Sequence, residues 1–280
     1  SAGGLGIIGA GNAPADVIKK EIEKVRELTD RPFGLNIMLL SPFADDIIEL
    51  AIEKKVPVIT TGAGNPGKHV KRFQEVGSKV IPVVPSVALA RRMERLKVDA
   101  VIVEGTEAGG HIGELTTMAL VPQVVNAVDI PVIAAGGVAD GRGLAAVLSL
   151  GAKGAQIGTR FVCSEECTAS EEFKKAIVGA RDRDAVVTGR STGHPVRNLK
   201  NKLTKEIDQL EKEGADPEKV EELGSGKLRD AVIDGDVDQG SVMAGQISGM
   251  ISEIKSVEKI IDEIIQEAEN TIRENYKLME

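Results

Sequence analysis

The sequence predicts an α/β protein, a TIM-type (β/α)8 barrel with a small and mainly helical appendage. Short β-branched apolar runs alternate with amphipathic helical patterns, which is typical of parallel strands covered by helices. Glycine-rich segments follow the last two apolar runs, where barrels of this type bind phosphate. An open doubly wound sheet is the alternative. The G-x-G-x-x-G fingerprint of such a sheet occurs at residues 4–9. The apolar residues there form a strand themselves, so we interpret this match as coincidental.

The composition of the chain excludes several classes of protein. The chain has 280 residues, of which 42% are hydrophobic, enough for one large domain or a domain with an appendage. A formal net charge of −8, one Tyr and five Phe argue against a nucleic-acid partner. The cysteines, Cys163 and Cys167, lack neighbours at metal-ligand spacing and suit a reducing compartment. No apolar run approaches the length of a membrane span. We expect a cytoplasmic protein that binds small molecules, with no metal site and no membrane association.

Seven apolar runs have the length and the β-branched content of strands. They cover residues 5–9, 33–39, 56–62, 79–85, 99–105, 131–137 and 154–161. A closed barrel needs eight strands, and the segment before the first run has the composition of a helix end. We therefore expect the first strand of the barrel to precede Ser1.

Helix starts are marked by residues that cap a first turn. Ser41 and Asn65 each precede a proline, whose missing N–H costs nothing there, and Ser86 precedes an apolar run. The sequence FADDIIELAIEKK at 43–55 has the period of an amphipathic helix lying on a sheet. The last helix has one apolar face, made of Val257, Ile260, Ile261, Ile264, Ile265, Ala268 and Ile272. We expect this helix to return to the barrel and cover it.

Composition also divides the chain into three segments. Residues 1–162 hold the alternating strands and helices of the barrel, without its first strand. Residues 163–238 are polar and rich in Lys and Glu, which indicates solvated helices. Residues 239–280 begin with small uncharged residues and end in the last helix.

A histidine follows two glycines where the fifth apolar run ends, in the sequence EAGGHIGEL. His111 is either an exposed loop residue or a functional group at the barrel mouth, because active sites collect at the carboxyl ends of barrel strands. Gly109 and Gly110 would let the backbone approach a flat ligand closely. An imidazole placed there suits general acid catalysis. Of the other histidines, His69 is expected to be solvated, and His194 either lines a site or caps a turn.

Six motifs, taken together and in order, resemble one known family. They are NIMLLSPF (36–43), TTGAGNP (60–66), EAGGHIG (107–113), PVIAAGG (131–137), GTRF (158–161) and GSVMAGQISGM (240–250). The chain resembles the flavin-dependent enoyl-acyl-carrier-protein reductases of the second bacterial type, which belong with the nitronate monooxygenases, also called 2-nitropropane dioxygenases. The likeness runs from residue 1 to about residue 251. It implies a barrel that binds FMN at its mouth, with NADH or NADPH as reductant.

The resemblance also implies the residues of the site. Gly136 and Gly137 would hold the flavin phosphate through their N–H groups, and Gly158 with Thr159 would complete that cradle. His111 matches the catalytic histidine of the family. The other implied flavin contacts are Asn36, Glu104, Gly109, Gly110, Gln156, Met243, Gly245, Gln246 and Ser248. In the resembling reductases, the segment that carries the last four folds back over the flavin.

The implied reaction is reduction of the 2,3 double bond of a trans-2-enoyl thioester carried by acyl carrier protein, in type II fatty acid synthesis, and the expected assembly is a homodimer. His111 would either give the proton to the α-carbon or polarise the thioester carbonyl. A nitronate monooxygenase that uses dioxygen is the alternative within the family. A barrel that binds a phosphate ligand without catalysis, such as a flavin carrier, is the alternative outside it. The choice of NADH or NADPH, the acyl chain length and a requirement for a monovalent cation stay open.

Overall fold

The computed structural model describes residues 2–278, and the chain forms two compact units. The first unit runs to Val103 and takes in Val121–Ile133. The second takes in Glu104–Leu120 and continues from Ala134. No helix in the described part of the chain is long and apolar enough to cross a membrane.

The larger sheet has seven strands within the described residues, in the order β1-β2-β3-β4-β5-β7-β8. They are β1 (Ile7–Gly9), β2 (Gly34–Met38), β3 (Val58–Gly62), β4 (Lys79–Val84), β5 (Val101–Glu104), β7 (Val132–Ala135) and β8 (Gly154–Gln156). All seven predicted strands are present, and β1 to β5 pair in parallel. The last prediction was too long, because β8 ends at Gln156 and a helix begins at Thr159.

Helices follow most of these strands and continue through the polar segment. They are α1 (Ala15–Leu28), α2 (Ala44–Glu53), α3 (Gly67–Glu75), α4 (Val87–Arg95), α5 (Thr117–Val125), α6 (Gly141–Ser149), α7 (Thr159–Val162), α8 (Glu171–Val178), α9 (Lys202–Lys212), α10 (Pro217–Gly224), α11 (Lys227–Val232) and α12 (Val257–Lys277), with a 3-10 helix at Gln246–Met250. Ser86 caps α4 as predicted, because its hydroxyl accepts a hydrogen bond from the Leu89 N–H at 3.3 Å. Asn65 accepts one from the Gly67 N–H at 3.1 Å, whereas Ser41 lies too early to cap α2, whose first flanking residue is Phe43.

The core of the first unit follows from the alternation of side chains along its strands. Leu35 pairs in register with Ile8 and Ile59, and it is fully buried. Asn36 and Thr60 are also in register, on the opposite face of the same two strands. Burial of one such aliphatic side chain contributes about 1.5–3 kcal/mol.

His69 does not have the solvated position that was predicted for it. Its side chain on α3 is buried, and its ring centroid lies 6.4 Å from that of Phe73. Among the described residues, its Nδ1 atom has no hydrogen-bond partner. Desolvation, with the positive charges of Lys68 and Arg72, lowers the pKa of His69. The polar residues around it in the sequence concealed a buried position on the opposite face of the helix.

The second unit contains a three-stranded antiparallel sheet that the sequence analysis missed. Its strands are β6 (Gly110–His111), β9 (Ala185–Thr188) and β10 (Val196–Leu199), in the order β6-β10-β9. The helices α8 to α11 form the rest of the predicted polar appendage. The appendage is thus mainly helical but includes a β-hairpin.

Helix α12 packs on α6 so closely that a Cβ atom on Gly141 would lie 2.3 Å from the backbone N of Ala268. Ile264 and Ala268 are buried, as their place on the predicted apolar face requires. Ile265 and Ile272, which were assigned to the same face, are instead 49% and 46% exposed. The apolar face is therefore narrower than predicted, because the sequence pattern spreads over more of the helix than α6 covers.

Candidate active site

The segment from Glu104 to His111 connects β5 to β6, and all of it lies in the second unit. In the antiparallel ladder, His111 is paired with Val196 and Gly110 with Arg197. The Ile112 N–H also donates to the Pro195 carbonyl at 3.1 Å. The side chain of His111 remains exposed. The backbone of His111 is therefore held by a sheet, while its imidazole stays accessible.

Desolvation and then the neighbouring His194 lower the pKa of His111 from its ordinary value of 6.5. Both effects favour the neutral ring, in which one nitrogen is a hydrogen-bond donor. His194 is itself exposed, and its backbone N–H donates to the Thr192 hydroxyl at 3.1 Å. His194 directly follows the turn at residues 191–193 and lies near His111.

The loop between β5 and β6 is held by side chains that sequence reasoning missed. Both carboxylate oxygens of Glu107 accept hydrogen bonds from the Thr117 N–H, at 3.0 and 2.9 Å. The Thr117 hydroxyl adds a third at 3.0 Å. The buried Arg197 donates through Nε and Nη2 to the Thr106 carbonyl, at 3.1 and 2.9 Å. In the sequence, the position of Arg197 between the apolar residues Val196 and Leu199 is a signal that could have pointed to this role.

The segment around Gly245 packs directly on this loop. A Cβ atom on Gly109 would lie 2.7 Å from the Ala244 carbonyl carbon, and one on Gly245 would lie 2.8 Å from the Glu107 carbonyl oxygen. The Gly245 N–H donates to the Thr159 hydroxyl at 2.9 Å. Gly245, which lies in the motif GSVMAGQISGM, therefore contacts the motifs EAGGHIG and GTRF.

The other predicted residues of this segment differ in exposure. Ser248 is fully buried, and its hydroxyl donates to the Gly245 carbonyl at 2.6 Å. Gln246 is exposed, while its N–H donates to the Glu107 carbonyl at 2.9 Å. The sulfur of Met243 would lie 3.6 Å from a Cβ atom on Gly110. Gln246 and Met243 remain available to a ligand, and Ser248 stabilises the turn behind them.

Backbone N–H groups at two strand ends form a candidate phosphate cradle. Gly136 and Gly137 have φ values of +86° and +78°, in the left-handed region that favours glycine. Within the described residues, neither their N–H groups nor that of Gly158 have an acceptor in the protein. A Cβ atom on Gly158 would have no atom within 4 Å, so there is open space in front of it. Free donors at the three glycines, with open space at Gly158, fit a phosphate group.

The first turn of α6, by contrast, is already occupied by carboxylates. Asp140 accepts from the N–H groups of Arg142 and Gly143, at 3.1 and 3.2 Å. Glu267 accepts from the Gly141 N–H at 2.7 Å. An anion would therefore bind to the N–H groups of Gly136 and Gly137, which precede α6, rather than to the N–H groups in the first turn of α6.

Two further predicted residues lie at strand ends in the second unit. Glu104 ends β5, and desolvation raises the pKa of its carboxyl to about 7. Gln156 ends β8 and is half-buried. Asn36 belongs to the first unit, where its side-chain amide donates to the Thr60 hydroxyl at 2.8 Å. Among the described residues, no group of three or more His, Cys, Asp or Glu side chains is placed to hold a metal ion.

Comparisons with known proteins agree on one family. Its description is nitronate monooxygenase, and its profile matches residues 1–267. A probable nitronate monooxygenase from Staphylococcus saprophyticus is 33% identical, in an alignment that covers 96% of this chain and 88% of that protein. The (3aS,4S,5R,7aS)-5-hydroxy-7a-methyl-1-oxo-octahydro-1H-indene-4-carboxyl-CoA dehydrogenase from Mycobacterium tuberculosis is 32% identical, in an alignment that covers 96% of this chain and 87% of that protein.

Solved structures confirm the fold class. FabK from Thermotoga maritima is 51% identical, with a TM-score of 0.96 over 99% of this chain and 88% of that chain. A nitroalkane oxidase from Streptomyces ansochromogenes is 29% identical, with a TM-score of 0.84 over 97% of this chain and 90% of that chain. Monooxygenase, dehydrogenase and oxidase are all names of oxidation–reduction enzymes. This chain therefore belongs to the nitronate monooxygenase family and is an oxidoreductase with the TIM-type α/β fold.

Proposed function

We propose that this protein is an FMN-dependent enoyl-acyl-carrier-protein reductase, which uses NADH or NADPH to reduce trans-2-enoyl thioesters. The observation that carries the proposal is the presence, in one compact unit, of free glycine N–H groups, with open space at Gly158, and of an accessible histidine on a fixed backbone. The reductase is favoured over other family activities by the 51% identity to FabK, against 29–34% for the nitronate and nitroalkane enzymes.

In this proposal the cofactor phosphate binds to the N–H groups of Gly136, Gly137 and Gly158. The Thr159 hydroxyl accepts from Gly245 and still has its own proton to donate to the phosphate. Met243 and Gln246 would contact the flavin. When bound, FMN would carry hydride from the nicotinamide to the β-carbon of the enoyl thioester.

His111 acts on the acyl half of the reaction. Hydride addition at the β-carbon leaves negative charge on the thioester oxygen, and a neutral imidazole can stabilise it by donating a hydrogen bond. The lowered pKa of His111 favours this role over that of a charged acid. The α-carbon then needs a proton. Glu104, with its pKa near 7, keeps a proton in a large fraction of molecules at neutral pH and is our candidate source.

The test compares two substrates on the same purified protein. Under anaerobic conditions, crotonyl thioester with NADH or NADPH should give butyryl thioester. In a separate assay under air, an alkyl nitronate should give little turnover. Rapid mixing would follow the flavin absorbance through each half-reaction separately. Flavin reduced by NAD(P)H that fails to reoxidise with the enoyl thioester would contradict the proposal.

A nitronate monooxygenase is the second candidate, because the family profile and several curated relatives carry that name. Rapid oxidation of the nitronate under air, with no enoyl reduction, would identify it. A coloured protein that consumes no NAD(P)H and oxidises no nitronate would instead indicate a flavin carrier. The acyl carrier protein as partner, the homodimer and the cytoplasmic location belong to the reductase proposal.

A further inference from the structure

Arg197 on β10 is a buried cation with an unusual set of partners. Its side chain is 5% exposed, and no carboxylate of the described residues lies within ion-pair distance of it. Its hydrogen bonds go to backbone carbonyls. Nε and Nη2 donate to Thr106, at 3.1 and 2.9 Å, and Nη1 donates to Ala185 at 3.4 Å. The guanidinium thus ties the hairpin β9–β10 to the loop that ends at His111.

The same residue holds this loop at both of its ends. The side chain of Arg197 fixes the carbonyl of Thr106 at the start of the loop, and its backbone is in register with Gly110 at the end. The next ladder pair joins Val196 to His111 itself. The position of the His111 backbone is therefore determined by β10, because only a few residues separate the two attachment points.

A guanidinium suits this position for a geometric reason. Its planar fork directs two N–H groups at one carbonyl oxygen, so it fixes the direction of the Thr106 carbonyl as well as its distance. A lysine ammonium can reach the same oxygen but does not fix its direction. An apolar side chain of similar length would remove both bonds from a partly buried backbone acceptor.

We propose that Arg197 is a positioning residue for His111, and that the β9–β10 hairpin is thereby part of the catalytic site. This inference rests on the proposed function, in that it takes His111 to act on the acyl half of the reaction. Arg197 acts through the loop and need not touch the substrate.

The experiment uses the flavin-loaded protein and three variants. Arg197→Met removes the donors, Arg197→Lys keeps the charge without the fork, and Arg190→Met is the matched control, an exposed arginine in the turn of the same hairpin. Hydrogen exchange followed by mass spectrometry reports the loop directly. In Arg197→Met, amides of residues 105–112 should exchange on the order of 10-fold faster, with α6 and α12 unchanged. Arg190→Met should match the parent, and Arg197→Lys should lie between.

The kinetic readout separates the two half-reactions. In Arg197→Met, reoxidation of reduced flavin by the enoyl thioester should slow by a factor on the order of 10, since a misplaced hydrogen-bond donor loses its alignment. Flavin reduction by NAD(P)H should stay within about twofold of the parent. The loss should appear in kcat rather than in KM for the thioester.

Two results would overturn the inference. One is loop exchange at the parental rate in Arg197→Met. The other is faster exchange spread evenly over α6 and α12, which would make Arg197 a general stabilising residue. Because hydrogen exchange needs no substrate, it tests the placement of the loop even if the parent protein fails to reduce enoyl thioesters. That failure would contradict the proposed function alone.

Discussion

Gly109 and Gly245 meet backbone to backbone in the second unit. A Cβ atom on Gly109 would lie 2.8 Å from the backbone N of Gly245, closer than a real Cβ atom can approach. The sequence EAGGH had suggested that this glycine leaves room for a flat ligand. The structure gives another reason for it, namely that the protein's own backbone occupies the space. Gly158 is the opposite case, because the space in front of it is open.

This contrast predicts different effects of the same substitution. Gly109→Ala should lower the free energy of unfolding by about 1–3 kcal/mol, because the 244–245 backbone has to move. Gly158→Ala, at a φ of −106° and without a clash, should change it by less than about 0.5 kcal/mol. Urea denaturation of both variants measures the difference. Equal losses in the free energy of unfolding would show that the close packing at Gly109 does not make this position more sensitive to substitution.

The phosphate cradle predicts a loss of FMN when Gly137 is replaced. Gly137→Val would place a side chain beside the free N–H groups, at a φ of +78° that L-residues adopt with strain. Gly214→Val is a control for the strain alone, because Gly214 has a φ of +71° and lies between α9 and α10. We expect flavin occupancy after dialysis to fall in the first variant only. Equal occupancy in the two variants would place the phosphate elsewhere.

The role of His111 predicts a defect confined to one half-reaction. His111→Ala should keep bound FMN and its reduction by NAD(P)H, while reoxidation by enoyl thioester falls by a factor on the order of 10² or more. His111→Gln keeps an N–H donor and should retain more of that rate than the alanine variant. Stopped-flow absorbance of the flavin measures both steps. An alanine variant that reoxidises at the parental rate would remove His111 from the mechanism.

Glu104 predicts a pH-dependent change in stability. Its pKa in the folded protein is about 7, above the ordinary value of 4.5, because burial disfavours the carboxylate. Because the folded protein favours the protonated carboxyl, the contribution of Glu104 to the free energy of unfolding is fully present below pH 4.5. This contribution is lost as the pH rises through 7. In the apoprotein at about pH 8.5, Glu104→Gln should therefore unfold with a free energy about 3 kcal/mol higher than the parent.

At about pH 4 the same variant and the parent should differ little. Glu114→Gln, at an exposed position in the same unit, is the matched control and should behave as the parent at both values. Urea unfolding at the two pH values measures the effect. A gain for Glu104→Gln that is equal at both would show that burial does not disfavour the ionised carboxyl.

The sequence by itself determined the strands and helices that position the site. β-branched runs and amphipathic periods are local signals, so the seven strands, the cap at Ser86 and the helical character of α2 follow from residues that are neighbours in the chain. The motifs that led to the family were local as well. The helix start predicted at Ser41 and the strand predicted to continue to residue 161 were wrong, because turn geometry decides where these elements begin and end.

Only the tertiary structure decided how the site is held. Strand β6 has two residues, too few for any periodic signal, and it exists because Val196 and Arg197, more than eighty positions later, pair with it. Burial of Arg197 and His69 depends on which face of an element meets its neighbours, and a polar sequence pattern does not show that. The close approach at Gly109 depends on a segment near the other end of the chain. Long-range packing, which no local pattern encodes, therefore sets the backbone from which His111 projects.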